Sequence, residues 1–172
     1  MKDIKIFQSD GGGEFQSIKF HNHLSKCGIL QQVSCHRIPE QNGVVERKHR
    51  HIVEMGLTMF FHAKLPLSLW VDAFLTIVYL INQLSSTVLK MENPFFMLFI
   101  QYPEYISLRI FGCQCFSYLK DYRKNKFSPK TYPCVFIGYS SLHKGYRCLH
   151  PSIKRVYISR HVIFNEKLLS LC

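Results

Sequence analysis

Apolar positions recur along this chain at two spacings, and the change from one to the other divides it. Residues 4–8 (IKIFQ) form a short strand-like run that ends at Ser9-Asp10-Gly11-Gly12-Gly13. Three glycines stop the strand and let the backbone turn tightly. Phe15, Ile18, Phe20 and Leu24 follow at helical spacing up to Gly28, and residues 29–35 read as a second strand. Pro39 and Asn42-Gly43 make residues 36–43 a loop. From Val44, apolar positions 45, 52, 53, 57, 60 and 61 predict a helix to about residue 63. Pro66 suits an early position of the next helix, which carries Trp70, Phe74, Ile77, Ile81 and Leu84, and Asn93-Pro94 opens a short third. After Tyr102-Pro103 the period shortens. IFGCQCFSYL, CVFIGYS, GYRCLH and VYISRHVIF are β-rich runs split by turns. A boundary is therefore expected near residue 105, with a basic β-module over 106–166 and a tail over 167–172. No internal repeat or low-complexity tract interrupts this order.

Composition narrows the class. With 47% hydrophobic and 14% aromatic residues in 172, the chain can bury a core, which argues against wholesale disorder. The greasiest stretch, residues 65–84, holds Asp72 near its middle, and an acid there is costly in lipid. It reads as a buried core helix, so no membrane partner is expected. The N-terminus has neither a long apolar run nor a small-residue cleavage site, so secretion is not expected either. Seven cysteines, an odd number without a small disulfide framework, suit reduced thiols in the cytosol or nucleus.

Charge adds a partner class. A net charge of +11 suggests a polyanion, against the plainer reading of a solvated basic surface. Its distribution is uneven: residues 1–46 are balanced, 47–64 carry +3, 65–105 carry −2, and 106–172 carry +10. The basicity belongs to the β-rich third and to one helix.

Two carboxylates stand out by context. Asp10 lies where a strand runs out into glycines, and Glu46 lies in the first turn of a long helix after a Gly-containing loop. The intervening helix, strand and loop could return Glu46 to Asp10. Hard cations such as Mg²⁺ take oxygen ligands, and rigid strand-end and helix-start carboxylates supply them. The alternative makes Asp10 a turn acid and Glu46 a complement to the helix dipole.

The words around these acids are more specific. Ser9-Asp10-Gly11-Gly12-Gly13-Glu14-Phe15 and Ile38-Pro39-Glu40-Gln41-Asn42-Gly43-Val44-Val45-Glu46-Arg47-Lys48 resemble the second and third acidic blocks of retroviral-type integrases. They are most similar to those of copia-type LTR retrotransposons, whose usual forms are SDNGGEF and TPQQNGVAER. KLPLSLWVDAFLTIVYLINQL, LRIFGCQCF, CVFIGYS, KGYRCLHP and ISRHVIFNE follow in the family's order, so the resemblance covers nearly the whole chain. It implies an α/β RNase H-like core, N-terminally truncated here, followed by a small all-β Src-homology-3-like barrel. It also implies an Asp-Asp-Glu triad that holds two divalent ions, Mg²⁺ or Mn²⁺, and joins element ends to a target duplex as a homo-oligomer. Two-metal phosphoryl transfer uses one ion to activate the nucleophile and the other to steady the leaving oxygen.

Asp10 and Glu46 match the second and third acids of that triad; Gly11 replaces the family's Asn and Glu40 a Gln. The first acid belongs far upstream, and Asp3 is too close to Asp10 to take its part. The chain alone is therefore expected to be inert, to bind metal weakly or not at all, and to leave an apolar edge on the strand near Ile4. A DNA-binding module without catalysis and an unfolded relic are the alternatives. The resemblance places its action in the nucleus or a cytoplasmic particle.

Further candidates surround this pair. Asn42, Arg47, Lys48 and Arg50 could contact phosphates near the site, although Arg50 could instead pair with Glu46. Lys120, Arg123, Lys124 and Lys126, with Lys130, Lys144, Arg147, Lys154, Arg155 and Arg160, interleave with Tyr118, Tyr122, Tyr139, Tyr146 and Tyr157. That mixture suits salt-sensitive DNA contact with some stacking, or else a solvated face over core tyrosines. His21, His23, Cys27, Cys35 and His36 lack any CxxC pair, so no zinc site is expected. Cys113 and Cys115 would share one face of a strand as buried structural thiols.

Overall fold

Strands β1 (Ile6–Ser9) and β2 (Leu30–Val33) run parallel, with Ile6 opposite Leu30 and Ser9 opposite Val33. Parallel neighbours need a crossover, and α1 (Ile18–Lys26) provides it. Ser17 caps α1 by accepting the Phe20 N–H at 3.3 Å, and Gly28 at φ 68° ends the segment in the left-handed region. Phe7, Phe15 and Phe20 meet with ring centroids 5.4–5.9 Å apart, which packs the helix on the strands. Ile4, Ile6, Leu30 and Val33 stay exposed. The expected apolar edge is present.

The computed structural model describes residues 4–34, 43–118, 127 and 129–169. It separates into two compact units, Met1–His51 and Ile52–Cys172, and helix α2 (Gly43–Ala63) runs across the division. The loop expected over 36–43 lies outside the described residues except for Gly43, the first residue of α2.

In the second unit, α3 (Trp70–Ile81) follows a 3₁₀ turn at Leu67–Leu69, and α4 (Pro94–Phe99) is capped by Asn93, which accepts the Phe96 N–H at 2.7 Å. The helix expected from Pro66 thus begins as a 3₁₀ turn, and it stops before Leu84, which is exposed. Five antiparallel strands follow: β3 (Cys113–Tyr118), β4 (Thr131–Tyr139), β5 (Tyr146–His150), β6 (Arg155–Ser159) and β7 (Val162–Leu169). Their order is β6-β5-β4-β3-β7. The run VYISRHVIF is divided between two strands. The Ser159 hydroxyl donates to the Tyr118 and His161 carbonyls, and the chain leaves β5 to pair with β3. β7 carries Lys167, Leu168 and Leu169 beyond residue 166, with Leu169 opposite Cys113.

Strand β4 sits in the middle of the sheet and is buried from Cys134 through Gly138. Val135 and Ile137 join Phe60, Ala63, Leu65, Leu69 and Ala73 of the helical segments in one core cluster. Cys134 and Phe136 join Cys113, Cys115 and Cys148 in a second. Complete burial of side chains such as Val135, Phe136 and Ile137 contributes roughly 1.5–3 kcal/mol each. Residues 52–105 and the sheet therefore share a core, although helices give way to strands near residue 105. Residues 65–84 supply a core helix as expected, with Ala73, Thr76, Ile77 and Ile81 buried, and no helix among the described residues is long and apolar enough to cross a membrane.

Two glycines make the packing of helix on sheet possible. A Cβ on Gly112, at φ 80°, would lie 2.6 Å from the Cβ of Ala63, and one on Gly138, at φ 122°, would strike the Thr76 hydroxyl. Both positions combine a left-handed backbone with a packed neighbour.

Candidate functional site

Asp10 leaves the end of β1 and Glu46 stands in the first turn of α2; both carboxylates are exposed, and both belong to the first unit. The Asp10 Oδ1 accepts the Gly12 N–H at 3.3 Å, a local turn in which the acid holds its own glycine loop. Gln16 braces the same loop, its Nε2 donating to the Gly11 carbonyl at 2.9 Å. No hydrogen bond or ion pair joins Asp10 to Glu46 among the described residues. Their oxygens suit a hard cation in kind but not in number. Among the described residues, no group of three or more acids, histidines or cysteines gathers to hold a metal ion.

Arg47, Lys48 and Arg50 follow Glu46 on α2 and are all exposed. The Glu46–Arg50 pair does not form; the ion pairs among the described residues are Lys144–Glu104 and Arg147–Asp72. Asn42, Lys120, Tyr122, Arg123, Lys124 and Lys126 lie outside the described residues. Of the remaining basic residues of the β-rich third, Lys130, Lys144, Lys154, Arg155 and Arg160 are exposed. Arg147 is not available in the same way. Its guanidinium lies 2.8 Å from the Asp72 carboxylate of α3, and both side chains are largely buried. Among the interleaved tyrosines, Tyr157 is buried and Tyr139 stacks on Tyr79 with centroids 4.2 Å apart, while Tyr118 is exposed. The pattern of cations and tyrosines thus serves both a solvated face and a core.

In the region weighed for zinc, Cys27 is exposed with its Sγ 3.8 Å from the His23 Nε2, while Cys35 and His36 lie outside the described residues. Cys113 and Cys115 are fully buried, as expected, and Cys134 and Cys148 join them in the same cluster. Burial pushes the Cys113 and Cys134 thiols up to about 12, and Cys115 is raised by its hydrogen bond with the Cys148 thiol and by burial. Protonated, enclosed thiols are poor nucleophiles and poor metal ligands.

Sequence reading misses a cleft of about 440 Å³ in the second unit, lined by the end of α3, the segment from Gln101 to Ser107 and the β4–β5 turn. The Tyr79–Tyr139 stack forms part of its wall, and Tyr102 stacks on Phe96 beside it with centroids 4.3 Å apart. The half-buried Tyr139 hydroxyl is pushed up to about 12 by desolvation, while the Arg109 N–H that it accepts at 2.9 Å works against that rise. Lys144 and Arg160 supply positive charge, against one acid, Glu104. Only the interleaving of Tyr139, Lys144, Tyr146 and Arg160 hinted at it, because the helical half of the lining is distant in sequence.

Residues 113–170 match the family described as the retroviral polymerase SH3-like domain, which covers the five-stranded sheet. Over 95% of its length the chain is 47% identical to the Retrovirus-related Pol polyprotein from transposon RE1 of Arabidopsis thaliana, and 46% identical to that from transposon RE2. It is 38% identical over 96% of its length to the Retrovirus-related Pol polyprotein from transposon TNT 1-94 of Nicotiana tabacum. The chain spans only 11–12% of the length of these relatives. A chain of the simian T-cell lymphotropic virus intasome, solved by cryo-EM in complex with the PP2A regulatory subunit B56 gamma, is 13% identical. It aligns over 91% of this chain and 55% of its own at a TM-score of 0.47, too low to identify a fold.

Proposed function

We propose that this chain is the part of a retrotransposon integrase that supplies two acids of an RNase H-like catalytic core and an SH3-like DNA-contacting domain. The observation that carries the reading is the placement of Asp10 where β1 ends and Glu46 where α2 begins, within a sequence similar to Pol polyproteins almost end to end. Arg47, Lys48 and Arg50, exposed on the turns after Glu46, would hold phosphates beside these acids. The exposed basic residues of the β-rich third would follow the duplex backbone, together with Lys120, Arg123, Lys124 and Lys126.

Two carboxylates are too few to hold a catalytic pair of ions, so Mg²⁺ or Mn²⁺ would be bound only with a further acid from a longer polyprotein. The proposed partners are element ends and a target duplex, handled by an oligomer in the nucleus or a cytoplasmic particle. The test is joining of an oligonucleotide matching the element's end to a duplex target in the presence of Mn²⁺. This chain alone should give no product and should still bind duplex DNA. A longer Pol segment containing these residues should give product, and Asp10→Asn or Glu46→Gln should abolish it with duplex affinity kept within about twofold. Undiminished joining by Glu46→Gln would overturn the catalytic assignment and leave a DNA-binding module, the reading that the exposed basic residues support by themselves.

A further inference from the structure

We propose that the cleft at the β4–β5 turn is a binding site for a single unpaired nucleotide. Its wall is aromatic, with the Tyr79–Tyr139 stack and Tyr102, which is 64% exposed. An exposed ring such as Tyr102 accepts a nucleobase face without regard to its sequence. Gln83 lies at the same wall, only 3% exposed, and its backbone carbonyl accepts the Tyr105 hydroxyl at 2.9 Å. Its side-chain amide has no hydrogen-bond partner among the described residues. An amide at the wall of a cleft is open to a ligand that has both a donor and an acceptor. The edge of a nucleobase has both.

Charge decides between ligand classes. Lys144 and Arg160 stand against Glu104 alone, so the mouth favours an anion. The Lys144 ammonium is 82% exposed and only 3.9 Å from Glu104, an ion pair weak enough to yield to a phosphate. A volume of about 440 Å³ suits one nucleotide. A base still paired inside a duplex presents neither face nor its pairing edge, so the cleft selects a nucleotide at an overhang or one turned out of the stack. A peptide bearing phosphotyrosine would satisfy the cations and the rings as well, and competition separates it from a nucleotide.

This inference rests on the reading that the chain handles DNA, and the experiment separates the two. Fluorescence anisotropy of the full chain would compare a short blunt duplex, the same duplex with a short unpaired 5′ overhang, and competition by thymidine 5′-monophosphate or a phosphotyrosine peptide. The overhang should bind about tenfold more tightly than the blunt end. Tyr102→Ala, at an exposed position, should erase that preference while the blunt duplex binds within about twofold of the original. Gln83→Leu, equal in size, should do the same, and a thermal melt of each variant reports whether it folds. Equal affinity for blunt and overhanging duplexes would overturn the cleft assignment alone. So would parallel weakening of both duplexes in a folded Tyr102→Ala variant, or stronger competition by the peptide than by the nucleotide. Failure of both duplexes to bind would overturn the DNA reading and the cleft together. Tight overhang binding without blunt binding supports the cleft and removes duplex contact.

Discussion

The Arg147 guanidinium on β5 meets the Asp72 carboxylate on α3 at 2.8 Å, so a residue that contributes to the basic third of the sequence is spent on holding a helix to a sheet. Desolvation raises the Asp72 carboxyl above its usual value of 3.8, and Arg147 works against that rise. A raised acid contributes stability that is present below the unfolded value and is lost as pH climbs through the folded one. Arg147→Met removes the opposing cation. It should therefore lower stability near neutral pH by about 2–3 kcal/mol, with the deficit shrinking as pH falls towards about 4. Chemical denaturation at both pH values checks the sign, and adding Asp72→Asn to Arg147→Met should recover most of the loss.

The thiol cluster sets an alkaline limit. Cys113 and Cys134 are held up to about 12, against 9 in the unfolded chain, so the unfolded state loses those protons first. The thiols' contribution should be steady below about pH 9 and should fall between about pH 9 and 12, by up to about 1.4 kcal/mol per pH unit for each thiol. Urea melts across that range should show the fall, and Cys134→Ala should make it shallower. An unchanged slope in that variant would remove the thiol from the explanation.

Gly112 stands where an added methyl has no room. Gly112→Ala should cost roughly 2–4 kcal/mol, combining left-handed strain with overpacking against Ala63. Ala63→Gly in the same chain should return only the packing part, because φ at residue 112 remains positive. Thermal melts of the single and double variants separate the two contributions.

Replacing Arg47, Lys48 and Arg50 with Gln should weaken duplex binding and lower the salt dependence of affinity by roughly one counterion for each phosphate left unneutralised. Arg147→Met should leave that slope unchanged, since its charge is already paired. Anisotropy titrations over a range of salt concentrations measure both slopes. A slope unaltered by the triple replacement would take α2 out of the DNA interface.

The sequence alone determined what depends on neighbours a few residues away. Hydrophobic period and turn residues placed β1, α1, β2, α2 and α4 close to where they lie, put Asp10 at a strand end and Glu46 at a helix start, and put Cys113 and Cys115 on one strand face. Local pattern could not say that Cys134 and Cys148 complete the thiol cluster, because that follows from strand register. Nor could it tell Arg147 from Lys144, which are alike as letters in a basic stretch; one is held in a largely buried pair with a helix and the other in a solvent-exposed pair with Glu104. The run VYISRHVIF reads as one strand until pairing with two different neighbours divides it. The cleft is the extreme case. Tyr79, Gln83, Tyr102, Lys144 and Arg160 have no common period, and only the packing of a helix end against a β-turn brings them to one cavity. Periodicity records which face of an element is apolar, whereas the meeting of distant elements is chosen by packing and register, so the tertiary structure alone assigned those residues their partners.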